Sequence, residues 1–570
     1  MRPLPLRLFP ILITLTLASA CDMPRGDDAG ADRATGPELP DAAFAAIDSA
    51  TIRSHIATLS SDEFEGRGTG TPGEELTINY IRDELQRLGV EGGLPDGSYF
   101  QQVPLRGSSP VRTDELTLTS GDGESIELGF VDEFIASTDL DADEASIDGE
   151  MIFVGYGIQS EAYGWDDYKD VDVSGKILVG FVNEPPATTD EPGLFQADTL
   201  TYAGRWTYKY EEARRRGASG MFLIHTEETA GYPFSVLSNG ARGEQIQLAE
   251  SEQQPLDIHG WLTHDAARQL AEMSGTALED WFDAASTREF QPRELPVSAR
   301  LSMGFQTRRF EGTNVIGRVA GRESPDEAII YTAHHDHLGI DRELQTRGED
   351  GIYNGATDNA SGLAMVLAVA DAFTRLPEAP ERSVLFMTLT AEESGLLGAQ
   401  FYVENPVVPL PRTIANINLD SGNLFGRTRD IVGIGSERSD LAALLRQAAR
   451  QEGMTVSPDV QPNQGLFFRS DQLHFARRGV PAVFLNTGRD FVGRDERYGE
   501  RVMDEYRSQR YHQPADSLGA NTPLGGLIQQ TRIALRLGHR LADSDIRPEW
   551  NPAEDFGEAR RQSEEEAGLR

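Results

Sequence analysis

The chain has 570 residues, 39% of them hydrophobic and 8% aromatic, which is enough for two or three domains with real cores and too apolar for a wholly disordered chain. Acidic residues number 92 against 52 basic ones, a net charge of -40, and lysine occurs only at Lys169, Lys176 and Lys209. A nucleic-acid binder needs a basic footprint, so that class is excluded; the acidic, lysine-poor surface fits a salty medium or a genome that favours arginine codons. No uncharged apolar run reaches the ~18 residues of a bilayer span, which excludes a multi-pass membrane protein.

Arg2 and Arg7 flank the start of an apolar stretch over 8–20, and Ala18-Ser19-Ala20 supplies small residues for cleavage. Residues 1–20 read as an export signal. The single cysteine, Cys21, follows directly, so it closes no internal disulfide and builds no cysteine metal site. Its position resembles a bacterial lipobox, with Ala18 where leucine is expected. The expectation is an exported protein of the periplasm or cell envelope with a lipid anchor at Cys21; plain secretion is the alternative. Residues 21–40 are rich in Gly, Asp and Ala and read as a flexible tether.

Residues 41–89 read as helical, with Ile78, Ile81, Leu85 and Leu88 on one face. The glycine-rich turn over 60–75 has neither the Lys-Ser/Thr nor the preceding strand of a phosphate loop. Over 111–300 short β-like runs at 151–158 and 176–182, and a helix at 208–218 leading into a strand at 220–225, mark a separate β-rich insert. From 301 to 545 the pattern alternates: strand 327–333, helix 360–376, strands 383–390 and 413–419, helix 440–453, strand 481–485. That alternation predicts an α/β fold, a mixed, mainly parallel sheet flanked by helices, with its site at the carboxyl ends of the strands. Residues 546–570 read as a charged, loosely ordered tail.

Ionisable residues gather where those strands end. His334, His335, Asp336 and His337 follow the first strand, Glu392 and Glu393 the second, and Asp420 the third. Asp358 opens a helix, and His512 stands in a later Tyr-His-Gln-Pro-Ala-Asp segment. Any one of these alone is commonly a surface or core residue; their joint placement argues for a site. Imidazole with carboxylate and no thiolate suits zinc or a similar divalent ion. Two histidines and three carboxylates match two ions sharing one bridging carboxylate, with a further carboxylate left as a base.

Five motifs occur in order over about 180 residues: H-x-D at 334–336, T-D-N-A-S-G around Asp358, A-E-E at 391–393, N-L-D at 418–420 and Y-H-x-P-x-D at 511–516. Together they resemble the two-zinc exopeptidase family (peptidase clan MH) of bacterial secreted aminopeptidases and glutamate carboxypeptidase. The resemblance implies that His334 and Asp420 bind one zinc, Glu393 and His512 the other, and that Asp358 bridges them. It implies Glu392 as general base, Asp336 as the residue that orients a histidine, and Tyr511 as a helper at the oxyanion. Ser470 and Asp471 match a segment near the substrate, whereas His335 and His337 receive no role. The segments 204–225 and 230–240 resemble the protease-associated (PA) domain inserted in many relatives. Peptides are the implied substrate and N-terminal trimming the implied activity. A carboxypeptidase or dipeptidase is kept open by Ser421, where simple aminopeptidases of the family often carry methionine, with Arg469, Arg489 and Arg510 as candidate carboxylate partners. A non-catalytic binding protein of the transferrin-receptor kind is remote, since every ligand position is filled. No G-x-S-x-G elbow is present for a serine hydrolase.

Overall fold

The computed structural model describes residues 39–569 apart from 198, 231, 232, 239, 251, 252, 553 and 555. The expected export signal, Cys21 and nearly all of the tether lie outside the described residues. The apolar runs of the C-terminal half form one mixed sheet. Its strands are β1 (Arg293–Val319), β2 (Ser324–His334), β3 (Arg382–Leu389), β4 (Thr413–Asn418), β5 (Asp430–Ile434), β6 (Thr455–Ser457) and β7 (Ala482–Thr487). They lie in the order β1-β3-β2-β4-β7-β5-β6. The pairs β2–β3, β2–β4, β4–β7 and β5–β6 are parallel, while β1–β3 and β5–β7 are antiparallel. The expected α/β fold with a mixed, mainly parallel sheet is present.

The central strands are covered on both faces, as a parallel sheet requires. Along β2, Ile329, Tyr331 and Ala333 join one core with helices α1 (Pro72–Arg87), α2 (Ser361–Thr374), α3 (Leu441–Gln451) and α4 (Gly525–Ala542). Ala328 and Ile330, the alternate residues, join a second core with Ala399, Tyr402 and Phe475. Strands β3 and β4 are buried along their whole length, which is why they read as unbroken apolar runs.

β1 is 27 residues long and runs through both sheet systems. Its last residues, Val315 to Val319, pair with β3, while the rest pairs with Phe100–Thr113, Leu116–Ser120 and Glu144–Phe153. The latter strands continue into a parallel set, Ile177–Phe181, Gly220–Ile224 and Ile258–Leu262. This β-rich region has its own core, in which Phe153 stacks on Trp281 with ring centroids 4.5 Å apart. Its pairing crosses the expected limits near 111 and 300, because β1 and the strand Phe100–Thr113 are continuous.

Three readings shift for local reasons. The run 151–158 stops being strand at Phe153, because Gly155 and Gly157 turn the chain at positive φ. The helical N-terminal stretch breaks at the glycine-rich turn, where Gly66 and Arg67 adopt φ of 62° and 51° before α1 begins. The tail expected to be loosely ordered instead contains the helix Phe556–Glu566. It is tied down by buried Arg560, which donates to the carbonyls of Leu410 and Thr413.

Candidate metal centre

The carboxyl ends of β2, β3 and β4 and the start of α2 bring the predicted residues together. β2 delivers His334 and β4 leads to Asp420; His334 Nε2 lies 3.3 Å from Asp420 Oδ1. Asp358, in the turn before α2, presents its two oxygens to different histidines. Oδ1 is 3.1 Å from His334 Nε2 and Oδ2 is 3.3 Å from His512 Nε2. Glu393 Oε2 lies 3.1 Å from His512 Nε2. Ligand atoms of His334, Asp358 and Glu393, and likewise those of His334, Glu392 and Asp420, fall within 4.8 Å of one another.

A cation fits these side chains. His512 Nε2 is buried and makes no well-directed hydrogen bond, though two carboxylates face it. An unsatisfied buried nitrogen between carboxylates is the arrangement a metal resolves. Protons would otherwise do that work. Burial opposes charging His334, but Glu392, Asp420 and Asp358 outweigh it and hold its pKa well above the usual value. Burial likewise opposes charging His512, yet Glu393 and Asp358 raise it to about 10. The site therefore demands positive charge, and the donors are nitrogen and oxygen of the kind zinc takes.

The adjacent glutamates are driven apart. Burial pushes the Glu392 carboxyl well above the usual range, with Asp420, Glu393 and Asp471 adding repulsion against the pull of His334. Glu393 is buried too, but His512 and His337 bring it down to about 2. The side-chain carboxyl of Glu392 accepts no hydrogen bond among the described residues, and the His334 Nε2 lies 4.0 Å from it. Two adjacent carboxyls of one site thus sit in opposite electrostatic environments.

The backbone around these residues is held in rarely occupied conformations. Ala391 before Glu392, Ser421 after Asp420, and His512 itself have φ of 54°, 63° and 55°. Each costs about 1–3 kcal/mol and persists only where surrounding contacts impose it. One such contact network is Asp516, the last residue of the histidine motif. Its carboxylate accepts from the N–H groups of Thr357 and Asp358 at 2.9 and 3.1 Å and from the Thr357 hydroxyl at 2.8 Å. Asp516 thus fixes the turn that carries Asp358.

Asp336 orients a different partner from the one expected. His334 Nδ1 lies 3.1 Å from the Asp336 backbone carbonyl, while the nearer carboxylate oxygen is 3.9 Å away. The carboxylate instead accepts from the N–H groups of Glu392 and Glu393 at 3.0 and 3.3 Å. Tyr511 is 43% exposed, and its ring lies flat on His512 at 3.9 Å. Ser470 donates to Asp420 Oδ2 at 2.6 Å and so holds that carboxylate. Asp471 is fully buried, and neither carboxylate oxygen has a partner. Burial, reinforced by Asp420 and Asp336 against His334, pushes it up to about 8.

Arg67 was not singled out from sequence. It is fully buried and donates to the carbonyls of His335, Leu59, Asn354 and Gly355 at 2.6 to 3.0 Å. Burial lowers its pKa to about 10, and Asp358, Asp336, Asp516 and Glu393 limit the fall. It stays charged and ties the glycine-rich turn to the floor of the site. Gly355 leaves room for it: a Cβ there would approach the Arg67 guanidinium to 2.7 Å, and φ is 52°. Glu74, from α1, is the other residue not anticipated. It accepts from Thr390 Oγ1 at 2.5 Å and lies 3.5 Å from His335 Nε2, bracing the strand end before Glu392.

Comparison with known proteins follows this geometry. Residues 314–536 match the model of Peptidase family M28. A vacuolar membrane protease of Verticillium alfalfae is 26% identical over 221 residues, 38% of this chain and 19% of that protein. The aminopeptidase NAALADL1 of Rattus norvegicus is 28% identical over 170 residues, 27% of this chain and 21% of that protein. Transferrin receptor protein 1 of Gallus gallus is 21% identical over 364 residues, 60% and 41% of the two chains. The chain thus spans about a fifth of the length of the curated proteases and aminopeptidases it matches. Among solved structures, an aminopeptidase from Aneurinibacillus sp. strain AM-1 aligns at 18% identity and a TM-score of 0.47, covering 88% of this chain and 96% of that one. The segment 314–536 that matches Peptidase family M28 carries His334, Asp358, Glu392, Glu393, Asp420 and His512.

Proposed function

We propose that this chain is a metal-dependent exopeptidase holding two zinc ions and removing residues from the N-terminus of peptides. The contrast between Glu393, engaged by two histidines, and Glu392, left free in the same site, carries the reading. His334 and Asp420 form one half of the site and Glu393 and His512 the other, with Asp358 between them. Ions held there would supply positive charge that polarises the scissile carbonyl and acidifies a water. Glu392 takes the proton of the attacking water and returns it to the leaving amine. Asp336 keeps that base aimed by holding the loop N–H groups. Tyr511, at the mouth, offers its hydroxyl to the developing oxyanion.

An N-terminal substrate suits the surplus of carboxylates, which attracts an α-ammonium group. Arg510, a candidate for a substrate carboxylate, is engaged by Asp516 and the Ser517 carbonyl. A second reading, a carboxypeptidase or dipeptidase, is favoured by Arg469. Its Nε is buried without a partner one residue before Ser470. We assign the β-rich region to a PA-type insert, and export with a lipid anchor at Cys21 to the same proposal. Among the described residues no helix is long and apolar enough to cross a membrane.

The test is hydrolysis of aminoacyl chromogenic amides and N-blocked dipeptides, with chelator and with zinc restored. Chelator-sensitive release from free-amine substrates is the expected result. Cleavage of blocked dipeptides alone would transfer the assignment to the second reading, and turnover indifferent to chelator would refute both.

A further inference from the structure

His337 is buried three residues beyond His334, and the family pattern gives it no role. Its Nδ1 lies 2.6 Å from Glu393 Oε1. The other oxygen of the same carboxylate, Oε2, is the one 3.1 Å from His512 Nε2. The two oxygens of Glu393 therefore have different partners. His337 is only 3% exposed, and its Nε2 has no hydrogen-bond partner. A carboxylate oxygen only accepts, so His337 Nδ1 is the donor of this bond.

The ring cannot easily turn. The His337 N–H donates to the Arg67 carbonyl at 3.2 Å, and Gly68 and His337 form a parallel bridge. Gly355 packs against it so closely that a Cβ would come within 2.7 Å of His337 Cδ2. The imidazole is thus clamped by the glycine-rich turn on one side and the Asp358 turn on the other.

We infer that His337 is a positioning residue that occupies Glu393 Oε1 and so presents Oε2 alone to the ion shared with His512. The inference rests on the two-metal reading above. The physical reason is that a carboxylate with both oxygens free can rotate or chelate with both. One short, charge-assisted hydrogen bond fixes its plane and selects one oxygen. Partners of ligands that act in this way typically contribute 10–100-fold to metal affinity.

The experiment uses the full chain, stripped of metal and titrated with Co2+, for the wild type, His337→Ala and His337→Asn. Asparagine places an amide N–H close to where Nδ1 stands. Stepwise affinities come from competition with a chromophoric chelator, and the visible spectrum reports each cobalt environment. The expected result is two ions on the wild type. H337A should bind at one site ~10–100-fold more weakly with an altered spectrum there, and H337N should recover most of that loss. Wild-type affinities and spectrum in H337A would overturn the inference, as would equal weakening of both sites. If H337A does not fold, H337N decides: near-wild-type affinity supports the inference, and a loss as large as that expected for alanine overturns it. A wild type that binds no ion contradicts the two-metal reading itself, and the inference falls with it.

Discussion

The two sheet systems share a strand but treat buried charge in opposite ways. In the β-rich region the buried Asp139 carboxylate is satisfied by the fold. Arg214 grips Asp139 through two bonds of 2.6 and 2.8 Å, and the Leu256 N–H adds a third at 2.9 Å. Lys209, fully buried, donates to the Ala203 carbonyl at 2.6 Å. At the site of the α/β region Asp358, Glu392, Glu393 and Asp420 converge with His334, His337 and His512, and the carboxylates draw positive charge onto His334 and His512. Satisfied networks stabilise and specify a fold, whereas a cluster left in need of a ligand is where function sits.

The sharpest way to break this contrast is to supply or withdraw the cation. Chelation should abolish turnover and lower the unfolding temperature by calorimetry, since each ion at a thousand times its Kd contributes about 4 kcal/mol. If the stripped chain melts at the same temperature, the α/β cluster is as self-sufficient as the β-rich one. Next in size is Glu392→Gln, predicted to lower kcat by ~10²–10⁴-fold while metal content and melting temperature hold. A variant that also loses metal would make Glu392 a ligand rather than the base.

Arg67→Met tests the buried cation that ties the glycine-rich turn to the floor of the site. It removes the donor to the His335, Leu59 and Asn354 carbonyls, and a loss of about 3–5 kcal/mol in denaturant unfolding is expected. A loss below about 1 kcal/mol would mean that the turn is held by other contacts.

The smallest effect belongs to the β-rich region. The folded Asp139 carboxyl is held well below its ordinary value of 3.8: burial opposes this, but His259 and Arg214 prevail. A depressed carboxyl contributes stability that is complete above the ordinary value and is lost as pH falls toward the folded one. Wild type should therefore lose stability below about pH 4, and Asp139→Asn, about 2–3 kcal/mol less stable at neutral pH, should lose less on acidification. Parallel melting-temperature curves for the two proteins across that range would contradict the assignment.

The fold was legible where apolar runs are continuous. β2, β3 and β4 and helix α2 fall within a few residues of their predicted places, because strands buried on both faces leave an unambiguous pattern. β5, β6 and the helices Tyr498–Gln509 and Gly525–Ala542 were not singled out; β6 has only three residues and is half exposed. Of the site, the residues brought together were the predicted ones, since each follows a strand or opens a helix. The residues that position them were not. Arg67, Glu74 and His337 act through backbone carbonyls, a strand-end hydroxyl and one carboxylate oxygen, with partners as far as 288, 316 and 56 residues away in sequence. No local spacing encodes such pairs. Asp516 alone carried a signal, as the end of the histidine motif.

The central claim is that these side chains hold two ions beside a free base. Its most direct test is zinc titration of the stripped chain, following both bound metal and hydrolysis of an aminoacyl amide, with Glu392→Gln alongside. The account predicts activity that saturates at two zinc per chain and a variant that binds both ions yet turns over ~10²–10⁴-fold more slowly. Full activity without metal, or a Glu392→Gln variant as fast as wild type, would contradict it.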